Sequence, residues 1–216
     1  MCMTISSGSS LKRLMSVDEK TPVEAKDGSV RRAKTGRTIV VHGVLVQASG
    51  LGVLIMGDSG IGKTACGLDL VARGSLWIAD DAVVLERRGD ALYGRGHERT
   101  KKLIAVRDRG ILEARSLLRA ETLLEETQVH LIIQFVRHSS EQGMVRGGES
   151  RSFLEIAGIP LSCRRVAAGD GSARMADEVI GFVNQCLAWE KRGSTEEGND
   201  DEADTRGNHY GTVRFR

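Results

Sequence analysis

One eight-residue stretch limits what this chain can fold into. Gly57-Asp58-Ser59-Gly60-Ile61-Gly62-Lys63-Thr64 fits G-x-x-x-x-G-K-[ST], the phosphate-binding P-loop. The apolar run Gly52-Val53-Leu54-Ile55-Met56 stands before it and reads as a strand. Behind it, Ala65 to Arg73 reads as a helix, with Leu68, Val71 and Ala72 on one face and Asp69 and Arg73 outside. Strand, glycine loop and helix form the context that the motif requires. The glycines let successive backbone N–H groups curl around one phosphate, and the helix N-terminus adds favourable partial charge. In that arrangement residues 57–64 bind the nucleotide. Lys63 reaches its β- and γ-phosphates, and the Thr64 hydroxyl ligates Mg²⁺.

The rest of the composition narrows the class. With 216 residues, 40% hydrophobic and 28% charged, the chain can build one domain with a real core. A net charge of +2 gives no argument for a nucleic-acid partner, and 4% aromatic residues argue against a base-stacking surface. Cys2, Cys66, Cys163 and Cys186 form no C-x-x-C pair; Cys66 and Cys186 read as small core residues. No apolar run is long enough to span a membrane and no signal peptide is visible, so the expected setting is the reducing cytoplasm.

Residues 1–35 read as a disordered leader, 36–190 as the P-loop domain and 191–216 as a disordered tail. In the leader, a short helix near Leu11–Met15 has no caps to support it. Thr38–Val41 and Val44–Val46 are strand-like around His42-Gly43, and Gln47–Gly50 turns the chain into the strand before the loop. Gly74 ends the helix; Leu76–Ala79 is a short buried strand; Ala82–Glu86 and Ala91–Gly94 pair across Gly89-Asp90. Lys101–Val106 fits a short helix or strand, and Ile111–Leu118 is ambiguous. Val129–Val136 is continuously apolar enough for a central strand. Ser139–Ser152 reads as a mobile loop, Phe153–Leu161 as a turn-linked strand pair, and Met175–Trp189 as a helix.

Asp80-Asp81 ends an apolar strand after the loop and one helix, where phosphoryl-transfer folds place a metal-holding or nucleophile-orienting carboxylate. Adjacent strand side chains point opposite ways, so both reach one site only if the strand has ended there. A solvated turn is the alternative. His42 could tune a carboxylate or be structural. His97, His130 and His138 read as structural or surface residues. Arg107 and Arg109 fit either a substrate-binding loop or a solvated one.

Taken together, His42–Val46, Gly50–Ile55, Gly57–Lys63, Arg73-Gly74 and Ala79-Asp80-Asp81 resemble the HPr kinase/phosphorylase catalytic domain, with no gap from His42 to Val84. A weaker echo at Arg107, Gly110 and Ile111 resembles the family signature Glu-Ile-Arg-Gly-x-Gly-Ile. The resemblance implies an α/β, P-loop-containing fold: a mixed twisted sheet with flanking helices. It also implies an ATP- and Mg²⁺-dependent serine kinase acting on HPr, a small phosphocarrier protein of the sugar phosphotransferase system. Reversal by phosphorolysis and assembly into hexamers are implied too. Carried over, Lys63 stabilises the transferring phosphoryl group, Thr64 ligates Mg²⁺, Asp81 accepts the seryl proton and His42 stands beside it.

Three departures stand out. The signature glutamate, a metal ligand, aligns with Ala105, and Asp108 replaces a glycine; Asp80, Glu98 and Asp108 are the candidate substitutes. The family's Pro-Gly-Arg-Asn stretch is replaced around Ala168–Gly171. About 35 residues precede the match, too few for the usual N-terminal domain, so the short, single-domain type is expected. An ATP-binding sensor without transfer, and a small-molecule kinase on the same loop, remain the alternatives.

Overall fold

The computed structural model describes residues 38–137, 152–169 and 171–193. The expected leader, the Leu11–Met15 helix, His138, the Ser139–Ser152 loop up to residue 151 and most of the expected tail lie outside them. The order is β1 (Thr38–Ala48), β2 (Leu51–Met56), α1 (Lys63–Ala72), β3 (Leu76–Ala79), β4 (Ala82–Arg88) and β5 (Ala91–Gly96). Then come β6 (Leu103–Val106), β7 (Gly110–Glu113), α2 (Ala114–Leu117), β8 (Glu126–Arg137), β9 (Ser152–Ile156), β10 (Ile159–Ala168) and α3 (Ser172–Gly193).

The eight-stranded sheet runs β2-β1-β4-β5-β8-β10-β9, with β3 on β1 and a further pairing of β2 with β8. That pairing closes β2-β1-β4-β5-β8 into a ring. Most neighbours are antiparallel, but β2–β8 and β8–β10 are parallel. β8 is the central strand that its apolar run implies. β6 and β7 form a separate two-stranded sheet.

Alternation along the strands sorts the core into two clusters. Val44, Val46, Val53, Ile55, Leu131 and Ile133 face the helices, against Cys66 and Leu70 of α1 and Val179, Phe182 and Val183 of α3. Leu45, Leu54, Leu85, Leu92, Val129 and Ile132 gather on the other side.

Helix α1 shows why packing overrides propensity. Gly67 costs a helix about 1 kcal/mol, while burying a side chain the size of Leu70 gains about 1.5–3 kcal/mol. Gly67 is needed for the fit: a Cβ there would lie 2.8 Å from both Trp77 Cζ3 and Val44 Cγ1. This close approach corrects the expected face. Cys66, Gly67, Leu70 and Val71 are buried, Leu68 is half-buried and Ala72 is exposed.

Other local outcomes follow. β1 continues through His42-Gly43, because Gly43 tolerates the Ile55 carbonyl, 2.7 Å from where a Cβ would stand. The ambiguous Ile111–Leu118 stretch divides between β7 and α2. α3 is longer at both ends than its apolar period implied. Among the described residues no helix is long and apolar enough to cross a membrane.

Candidate active site

The loop leaves β2 at Gly57 and enters α1 at Lys63. Gly57 (φ 146°) and Gly62 (φ 105°) take conformations that strain other residues. They also leave room. A Cβ on Gly57 would lie 2.7 Å from the Phe135 carbonyl, and one on Gly62 would lie 2.8 Å from Met175 Cε. The loop is thus clamped between the ends of β8 and α3. Asp58, Ser59 and Gly60 are exposed along its rim, and the half-buried Ile61 anchors it to the helix-side core.

Lys63 is only 6% exposed. Its Nζ donates to the carbonyls of Gly57 (2.9 Å) and Asp58 (2.8 Å). Burial pushes its pKa down, while the charges of Asp80, Asp81 and Asp58 oppose that shift. A desolvated ammonium at the mouth of a glycine loop and the start of a helix is suited to an anion.

The two aspartates part at the corner between β3 and β4. Asp80 is buried; its Oδ1 accepts from the Thr64 hydroxyl at 2.9 Å and its Oδ2 from the Ala105 N–H at 2.8 Å. Burial raises the carboxyl pKa, and these two hydrogen bonds oppose the rise. Asp81 takes φ 66°, a conformation rare for a residue other than glycine. β3 has indeed ended, so successive side chains need not alternate. The exposed Asp81 carboxylate meets His42 Nδ1 at 2.8 Å, and its carbonyl lies 3.1 Å from the same nitrogen. The Gly43 N–H fixes that carbonyl at 3.0 Å. Backbone strain of this kind gathers at functional sites.

The structure therefore brings His42, residues 57–64, Asp80 and Asp81 together. Arg107 and Arg109 stand exposed at the β6–β7 turn. The hairpin reaches the cluster through the Ala105 backbone, but among the described residues no ion pair or hydrogen bond links either guanidinium to it. Of the substitute ligands, Glu98 is occupied by Lys101 (2.9 Å) and Arg95 (3.3 Å). Asp108 lies in the hairpin turn with φ 65°, which leaves Asp80 as the carboxylate against the Thr64 hydroxyl.

A family model described as the HPr Serine kinase C-terminal domain matches residues 33–193. The chain belongs to that family. HPr kinase/phosphorylase of Clostridium botulinum is 37% identical over 121 residues, covering 56% of this chain and 40% of the relative. The Streptococcus equinus protein of the same name is 38% identical over 132 residues, covering 61% and 43%. The chain thus spans about two-fifths of these relatives' length. The Hpr(Ser) kinase/phosphatase structure from Coxiella burnetii superposes with a TM-score of 0.64 at 20% identity, covering 73% of this chain and 98% of that one. This likeness shows that the HPr kinase C-terminal fold is shared.

Against that family pattern, three contacts were beyond sequence reasoning: the Ala105 N–H on Asp80, Met175 behind Gly62, and Arg137 Nε at 3.7 Å from Asp58 Oδ2. Only the first had a signal, since Ala105 aligns with the signature glutamate. Arg137 ends a strand whose position was legible but whose parallel pairing with β2 was not.

Proposed function

We propose that this chain is an ATP- and Mg²⁺-dependent serine kinase acting on HPr or a related small phosphocarrier. The observation that carries the reading is the buried Lys63 ammonium, held by the Gly57 and Asp58 carbonyls and within the electrostatic reach of Asp80, bonded to Thr64, and Asp81, paired with His42. Nucleotide phosphates fit a loop of this spacing, whose backbone N–H groups curl around a phosphate. Thr64 and Asp80 supply hard oxygen ligands, the donor type Mg²⁺ takes with phosphates and water. When bound, the ion neutralises charge on the phosphates.

The residues then have separable tasks. Lys63 stabilises charge on the phosphoryl group in transfer. Asp81 Oδ takes the proton of the seryl hydroxyl as its oxygen bonds to the γ-phosphorus. The bond from that phosphorus to the bridging oxygen breaks, and ADP leaves. His42 Nδ1–H orients the Asp81 carboxylate. Exposure of this pair suits an acceptor that is a protein side chain arriving from solvent. Arg107 and Arg109, on the hairpin tied to Asp80, are proposed to contact that acceptor. Phosphorolysis is the same displacement run backwards with inorganic phosphate, releasing pyrophosphate.

Ala105 favours a second reading, because it gives Asp80 a backbone N–H and no second carboxylate: a nucleotide-binding sensor without transfer. One assay separates the two. With γ-labelled ATP, Mg²⁺ and HPr, a kinase places label on a serine of HPr. Tight nucleotide binding with unlabelled HPr selects the sensor, and turnover with no protein acceptor selects a small-molecule kinase.

A further inference from the structure

We propose that Arg137 is a phosphate-binding residue of this site, and that it lets the site distinguish a nucleoside triphosphate from a diphosphate. The inference rests on the nucleotide reading above. β2 and β8 are parallel, with Met56 beside Gln134. At the next position β2 turns into the glycine loop, while β8 runs on through Phe135 and Val136 to Arg137. Ligands of parallel sheets bind at these carboxyl ends. Phe135 is buried in the helix-side cluster. By strand alternation Arg137, two positions on, projects to the same side, where α1 begins.

Two cations converge on one loop residue. Lys63 Nζ donates to the Asp58 carbonyl at 2.8 Å, and Arg137 Nε lies 3.7 Å from the Asp58 carboxylate. A P-loop lysine reaches the β- and γ-phosphates, so a guanidinium on the same loop residue stands within range of the outer phosphates. An unneutralised Asp58 would repel them, and Arg137 offsets the charge. The side chains of Arg137 and Asp58 are 72% and 54% exposed. An ion pair this open and this long is weak, so the guanidinium can exchange it for phosphate oxygens, which it binds bidentately. The neighbour of Arg137 on β10 is Ala168, a methyl side chain that cannot compete for it.

The test is equilibrium titration of wild type, Arg137→Ala and Arg137→Lys with ATP and with ADP, each with Mg²⁺. Arg137→Ala should weaken ATP about tenfold or more, the worth of a charged hydrogen bond, with ADP changed by less than about twofold. Arg137→Lys should recover part of the ATP affinity, since charge returns without the planar fork. Retained ADP binding shows that the loop is intact. Equal losses for both nucleotides, or no loss for either, would overturn this assignment while leaving the nucleotide reading in place. Wild type that binds neither nucleotide would overturn both.

Discussion

The Thr64 hydroxyl and the Asp80 carboxylate, sixteen positions apart in sequence, meet at 2.9 Å. One comes from the first turn of α1 and the other from the end of β3. The second Asp80 oxygen is tied to the Ala105 N–H, so the carboxylate is held in one orientation before any ligand arrives. Fixing an anionic oxygen beside a hydroxyl is what a small hard cation requires.

Asp80→Asn keeps the shape and removes the charge. Nucleotide affinity measured with Mg²⁺ should fall to its Mg²⁺-free value, and phosphotransfer should drop by about 10²–10³. Titration with and without Mg²⁺ checks this. A variant that still gains affinity from Mg²⁺ holds the ion elsewhere.

Asp81→Asn should reduce transfer to HPr by about 10²–10⁴, the usual contribution of a positioned base, with ATP affinity nearly unchanged. His42→Ala should cost less, because in the proposed mechanism His42 only orients the carboxylate through Nδ1. Label transfer and nucleotide titration, run side by side, separate the effects. Loss of ATP binding in Asp81→Asn would instead make Asp81 a structural or metal-holding residue.

Gly67→Ala tests the packing of α1. The added methyl would overlap Trp77 and Val44, both at 2.8 Å and both buried. Overpacking of this kind costs about 1–3 kcal/mol. Against it stands a gain of about 1 kcal/mol in helix propensity. A lower thermal midpoint is expected; a higher one would mean that Trp77 moves aside freely.

His130 gives a prediction for acid stability. Burial lowers its pKa from 6.5 to about 4, and its Nδ1 accepts the Gly52 N–H at 2.9 Å. The unfolded chain takes up this proton near pH 6.5, and the folded chain resists it until about pH 4. The contribution is therefore fully present above about pH 6.5 and is lost as pH falls through this window. About 2 kcal/mol should be gone by pH 5, on the order of 3 kcal/mol in all. Urea unfolding at pH 7 and pH 5 measures it, and a His130→Gln chain should lose this component of the pH dependence.

Much of the site was legible because its signals are local. The P-loop spacing, the apolar runs on both sides of it and the Asp80-Asp81 pair at a strand end each sit within one element. Elements with strong period, such as β8 and α3, were equally readable. Where the signal was mixed, as at Ile111–Leu118, two elements share the stretch. The buried face of α1 was misjudged for a different reason: the absence of a side chain at Gly67, which periodicity does not weigh, decides how that helix packs.

Residue types alone determined that this chain carries a glycine-rich loop of P-loop spacing followed by a pair of carboxylates, since backbone freedom at glycine and charge at Lys63 and Asp80 are properties of the residues themselves. Tertiary structure decided how they divide the work. Pairing of β1 with both β3 and β4 turns the corner at Asp81, which sends Asp80 inward to Thr64 and Ala105 and Asp81 outward to His42. Parallel pairing of β2 with β8 delivers Arg137 to the loop. Contacts between residues far apart in sequence depend on strand register, and register is fixed only when the whole sheet assembles.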